Sequence, residues 1–97
     1  MLEKVIILCS FILKYTKNAK AKKLALECSD TDWSFLSKIR LLDLSSNGLE
    51  DDDLIPGLTL LTNLENVDLK CNRLTSLPNF FCKFVNLKTI QLEKKTN

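Results

Sequence analysis

Few residues in this chain are of a type and spacing that could do chemistry. In VDLKCNRLTSLP, residues 67–78, Cys71 stands beside Asn72, a potential nucleophile next to an amide. A nucleophilic cysteine needs a base in reach and an activated thiolate, and the sequence holds no histidine. That removes the commonest general base, the commonest transition-metal ligand and the usual pH switch. Cys9, Cys28, Cys71 and Cys82 lie far apart with no CxxC pair, which argues against a structural zinc site. They read as free thiols that behave as small hydrophobes, although an even count leaves two disulfides open. Glu50-Asp51-Asp52-Asp53 is the densest charge run. Its carboxylates suit calcium or magnesium, but it lacks the alternating ligands and glycine of an EF-hand loop. It is expected to favour the N-terminus of a short helix at Leu54-Ile55 through the helix dipole. We therefore assign no catalytic residue, metal ligand or cofactor, and the chain is not expected to be an enzyme.

Composition bounds the elements that position these residues. A chain of 97 residues makes at most one small domain. The net charge of +2 hides a sorted distribution: residues 1–23 carry six lysines and one acid, 24–69 ten acids and two bases, and 70–97 six bases and one acid. Any charged partner would meet a local patch and not a uniformly basic surface.

Self-comparison reveals a repeat. IRLLDLSSNGL (39–49) and LENVDLKCNRL (64–74) both fit LxxLxLxxNxL, through Ile39, Leu42, Leu44, Asn47, Leu49 and Leu64, Val67, Leu69, Asn72, Leu74. LKTIQLEKKTN (87–97) begins a third copy with Leu87, Ile90 and Leu92, then lapses. A fainter copy starts at Ala21, where Leu24 and Leu26 fit but Ser29 replaces the asparagine. Aliphatics at positions 4 and 6 describe a short strand with one face buried. One such unit cannot bury its leucines alone, so parallel strands must stack. The turn that follows needs partners for its buried backbone groups. Asn47 and Asn72 offer both donor and acceptor for a ladder through successive turns. That makes Asn72 a scaffold residue and Cys71 its neighbour in the pattern.

The two copies in register resemble the leucine-rich repeat family, and Leu77-Pro78, Phe81 and Phe84 extend the likeness over a 23-residue unit. The resemblance implies an α/β fold: a short leucine-rich-repeat solenoid of parallel strands capped by an N-terminal helix. Residues 1–20 would be the cap. Residues 21–97 would be the repeats, with units at about 21–38 (degenerate), 39–63, 64–86 and 87–97 (incomplete). On the capping helix, Leu2, Val5, Ile6, Cys9, Ile12 and Leu13 fall on one face at helical spacing. VIILCSFIL (5–13) also has the outline of a signal core, but Glu3, Lys14 and Lys17 tell against it. Nine residues are too few to span a bilayer. Asp30, Thr31 and Asp32 could cap a brief helix through Lys38, and Trp33 after them is expected partly buried between repeats.

The resemblance further implies protein binding through the concave strand face, as an intracellular, cytoplasmic adaptor or assembly scaffold. The residues it places there are Leu41, Asp43, Ser45, Asn66, Asp68, Lys70, Thr89, Gln91 and Glu93. The faint first unit would add Lys23, Ala25, Glu27 and Cys28. Asp43 and Asp68 would stand side by side as like charges. The five lysines between Lys14 and Lys23 could touch phosphates or anionic lipids. Without arginine, and with Tyr15 alone as an aromatic, neither nucleic acid nor membrane is an expected partner. A secreted recognition module with a cleaved leader, and a piece of a longer repeat protein, are the alternatives. The third unit has no cap after it, which suggests self-association through that end.

Overall fold

A computed structural model describes residues 2–29 and 31–92. Three helices come first: α1 (Leu2–Tyr15), α2 (Ala19–Leu26) and α3 (Phe35–Lys38). Three short strands follow, β1 (Leu41–Asp43), β2 (Asn66–Asp68) and β3 (Thr89–Gln91), in one parallel sheet of order β1-β2-β3. The register pairs Leu42 with Val67 and Val67 with Ile90. Equivalent positions of the sequence repeat are thus neighbours across the sheet, and one repeat is the step from strand to strand. The return path from β1 to β2 uses 3₁₀ turns at Asp51–Asp53 and Pro56–Leu60, and that from β2 to β3 a turn at Asn79–Lys83.

The core is built from the pattern's aliphatics. Leu42, Leu44, Leu49, Leu64, Val67 and Leu69 are all buried, joined from the return path by Leu58, Leu61, Phe81 and Phe84. Removing each large aliphatic from water stabilises the fold by about 1.5–3 kcal/mol. The edge-to-face packing of Phe81 on Phe84, with centroids 5.2 Å apart, fills the second return path.

α1 covers the first end of this core, with Glu3 in its first turn and Lys14 in its last, each matched to the helix dipole. The buried face differs from the expected one. Val5, Cys9 and Ile12 are buried as expected, but Leu8 and Phe11 complete the set, while Leu2, Ile6 and Leu13 are exposed. At about 100° per residue, that turns the helix roughly 70° about its axis. The cause is an apolar content on nearly every side of α1. The face is then chosen by what it packs against, with Phe11 also held by the Tyr15 ring at 4.9 Å.

The second correction concerns the degenerate unit. Residues 19–26, AKAKKLAL, form α2 and not a strand. Alanine, lysine and leucine are strong helix formers, and the two matches at Leu24 and Leu26 do not outweigh that run. Ala21 and Ala25, one turn apart, are buried and let α2 approach α1 closely. Leu26 is 71% exposed. Lys23, Ala25, Glu27 and Cys28 therefore do not extend the sheet. The cap is also two helices and not one, because the chain breaks at Thr16-Lys17-Asn18.

That break closes the β1 edge. The Lys17 N–H donates to the Asp43 carbonyl at 2.8 Å. Asn18 accepts the Asp43 N–H on Oδ1 at 3.1 Å and donates Nδ2 to the Leu41 carbonyl at 3.2 Å. The buried Thr16 hydroxyl donates to Asn18 Oδ1, which orients the amide. Exposed strand edges are templates for unwanted pairing, and here one residue's side chain and its neighbour's backbone stand in for the missing strand.

Candidate functional site

The outward-facing residues of the strands form rows. Leu41, Asn66 and Thr89 make one row, and Asp43, Asp68 and Gln91 the next. Neighbouring strands in a sheet lie about 4.8 Å apart, so each row is a continuous strip. Leu41 is 47% exposed, an apolar side chain at one end of an otherwise polar strip. The Thr89 hydroxyl donates to Asn66 Oδ1, tying those two side chains together. Ser45 and Lys70 follow their strands, both half-buried. Glu93 lies outside the described residues.

The two aspartates are occupied within the chain. Asp43 Oδ1 accepts the Ser45 N–H at 3.1 Å and the Ser45 hydroxyl at 2.7 Å. Asp68 Oδ1 accepts the Lys70 N–H at 3.0 Å, and Lys70 Nζ stands 3.8 Å from its other oxygen. Each carboxylate therefore starts the turn after its strand. The like-charge pair is thus met by donors on both sides, with the Lys70 ammonium beside Asp68 and only neutral groups on Asp43. Lys70, sharing its charge with Asp68, is a polar contact and not a free cation.

Behind the rows runs the asparagine ladder. Asn72 Nδ2 donates to the Leu44 carbonyl at 2.8 Å and the Leu69 carbonyl at 3.1 Å, while Oδ1 accepts the N–H groups of Asn47 at 2.9 Å and Leu49 at 3.0 Å. Asn47 donates Nδ2 to the Leu44 carbonyl at 3.1 Å and to the Tyr15 carbonyl at 2.7 Å. The first contact holds its own turn, and the second binds the last residue of α1. The tight turn puts Ser46 and Cys71, at the same position of the two units, at φ of 55° and 59°. Cys71 is exposed in a left-handed turn, and among the described residues no three His, Cys, Asp or Glu side chains gather to hold a metal ion.

Three devices escape the eleven-residue pattern because they lie just outside it or act between units. Asn63 and Asn86, each preceding a unit's first leucine, form a second ladder: Asn63 Nδ2 donates to the Ser37 carbonyl at 2.9 Å and Asn86 Nδ2 to the Thr62 carbonyl at 3.0 Å. The recurrent Asn-Leu at 63–64 and 86–87 is the signal that could have found it. Arg40, Glu65 and Lys88, at the second position of each unit, alternate in charge, with contacts of 3.5 and 3.2 Å. Exposed pairs of this kind each contribute at most about 1 kcal/mol.

The third is Asp51. The acidic run does not precede a helix at Leu54-Ile55: Asp51–Asp53 is itself the turn, closed by the Glu50 N–H on Asp53 Oδ2 at 2.7 Å. Asp51 reaches across to the next unit, accepting the Thr75 hydroxyl, the Thr75 N–H at 2.7 Å and the Ser76 N–H at 3.3 Å. These donors, the Thr75 hydroxyl first, hold its carboxyl below the usual aspartate range. A depressed folded-state pKa favours the fold above the unfolded value and loses that contribution as pH falls through the folded one. We expect Asp51→Ala to lower the urea midpoint near neutral pH, and its gap from the parent to narrow as the pH falls from neutral through the depressed folded-state pKa of Asp51. An unfolding gap that stays constant across that range would show that the latch does not depend on the carboxylate.

Trp33 is half-buried, as expected, with its indole N–H buried and without a hydrogen-bond acceptor among the described residues. Phe80, on the same return path as the buried Phe81 and Phe84, is half-buried. Among the described residues, no helix is long and apolar enough to cross a membrane. No family model, characterised protein or solved structure matches the chain.

Proposed function

We propose that this chain is a binding scaffold of the leucine-rich-repeat type, which engages another protein through the outward face of its strands. The observation that carries the reading is the in-register alignment of equivalent outward residues into strips, Leu41-Asn66-Thr89 and Asp43-Asp68-Gln91. Such strips, fixed by a rigid ladder behind them, present side chains at set spacing with little entropy left to lose on binding. Leu41 is the apolar anchor, Asn66, Thr89 and Gln91 supply hydrogen bonds, and Lys70 and Asp68 set the polarity of one margin. We place this role inside the cell, as an adaptor: two thiols, Cys71 and Cys82, are free and exposed, an arrangement suited to a reducing compartment.

The test is a photo-crosslinking amino acid introduced singly at Leu41, Asn66 or Asn79, with the protein expressed in its native cell. The strand-face positions are expected to give one discrete adduct, absent from Asn79 on the return path and weakened by Leu41→Asp when the probe is at Asn66. Equal labelling from Asn79, or no adduct from either strand position, would refute the assignment of the face.

A further inference from the structure

Cys9 and Cys28 come from different parts of the cap, nineteen residues apart, yet their Sγ atoms approach to 3.0 Å. Cys9 lies on the buried face of α1, and Cys28 sits two residues beyond α2, half-buried. The fold brings them together because Ala21 and Ala25 let α2 pack tightly along α1. A disulfide has sulfurs about 2.05 Å apart, so closing the bond needs a movement of about 1 Å. Cys71 and Cys82 are exposed and have no such neighbour among the described residues.

We propose that Cys9 and Cys28 form a thiol–disulfide redox site, closed by exchange with a low-molecular-weight disulfide such as oxidised glutathione. Cys28 is the more accessible sulfur and makes the first attack. Its thiolate, having released a proton, displaces one thiolate from the small disulfide and becomes a mixed disulfide. Cys9 then gives up its proton and attacks Cys28 Sγ, expelling the second small thiolate. The two expelled thiolates take up the two protons. The protein loses two electrons and the small disulfide gains them. Burial, with the Cys28 thiol beside it, pushes the Cys9 thiol up to about 12, which keeps Cys9 from attacking first. Its step is intramolecular, and proximity offsets the small thiolate fraction. Closure would tether α1 to the end of α2 and lock the cap over the first end of the sheet. This chemistry is independent of the proposed binding face.

The experiment uses the full chain carrying Cys71→Ser and Cys82→Ser. Serine is already native at Ser46, the position equivalent to Cys71, so the first change suits its turn. After equilibration with oxidised glutathione at neutral pH, the folded protein is expected to lose the mass of two hydrogens and show no alkylatable thiol. It should yield a Cys9–Cys28 linked peptide and melt about 10 °C higher than the reduced form, with dithiothreitol reversing each change. Adding Cys28→Ser should abolish the oxidative shift while leaving the circular dichroism of the reduced fold unchanged. Two thiols that still alkylate, a product that stops at one glutathione adduct, a disulfide between chains, or an oxidative shift that survives Cys28→Ser would each overturn the proposal.

Discussion

Asn72→Ala is expected to destabilise the protein by about 3 kcal/mol, more than any other polar substitution in the turns. The side chain satisfies the N–H groups of Asn47 and Leu49 and the carbonyls of Leu44 and Leu69 at once. Removing it takes that partner from both N–H groups and from the Leu69 carbonyl in a part-buried turn, while the Leu44 carbonyl keeps Asn47 Nδ2, and each unsatisfied buried group costs about 1–3 kcal/mol. Partial access to water lowers the total below the simple sum. Asn47→Ala should cost less, about 1–2 kcal/mol, because that side chain serves two carbonyls, those of Tyr15 and Leu44, through its Nδ2 alone. Urea unfolding of both variants measures the order directly. A larger loss for Asn47→Ala, or a loss under about 0.5 kcal/mol for Asn72→Ala, would mean that the ladder does not join the two units.

The orientation of α1 gives the second large effect. Leu8 is fully buried against the core, so Leu8→Ala should cost about 3 kcal/mol through lost transfer energy and the cavity left behind. Ile6 is 54% exposed, and Ile6→Ala should change stability by no more than about 0.5 kcal/mol. The helical spacing of the sequence alone gives the reverse order, because it puts Ile6 inward and is silent on Leu8. Thermal midpoints of the two variants therefore decide between two rotations of one helix. Equal losses would mean that α1 has no unique face.

The contrast shows where sequence patterning carries structural information. The strands were legible because each inward aliphatic alternates with a polar or exposed residue, and because the pattern recurs at Leu42, Val67 and Ile90. Asn47 and Asn72 were legible for the same reason, since a recurring amide beside a turn has few other roles. α1 was legible as a helix but not in rotation, because an all-round apolar segment carries little directional signal. α2 was hidden behind Leu24 and Leu26, whose alternation imitates a strand over two residues, while Ala21 and Ala25 are too small to register as core. At the candidate face, Asp43 and Asp68 were placed correctly side by side. Their engagement by Ser45 and Lys70 was not legible, since a carboxylate that starts a turn and one that awaits a ligand look alike in sequence. Asp51 shows the same limit over a longer range, its donors being on a different unit.

The closure of β1 by residues 16–18 also bears on how copies of this chain can associate. Head-to-tail contacts that do not close into a ring propagate into open filaments, and they require two complementary surfaces on every copy. The first of those surfaces is already taken, by Lys17 and Asn18 on the main chain of Leu41 and Asp43. Whatever docks beyond β3, a second copy cannot pass the growth on through its own β1 without first stripping away that segment. Any stacking of copies through the sheet would therefore stop at that closed edge.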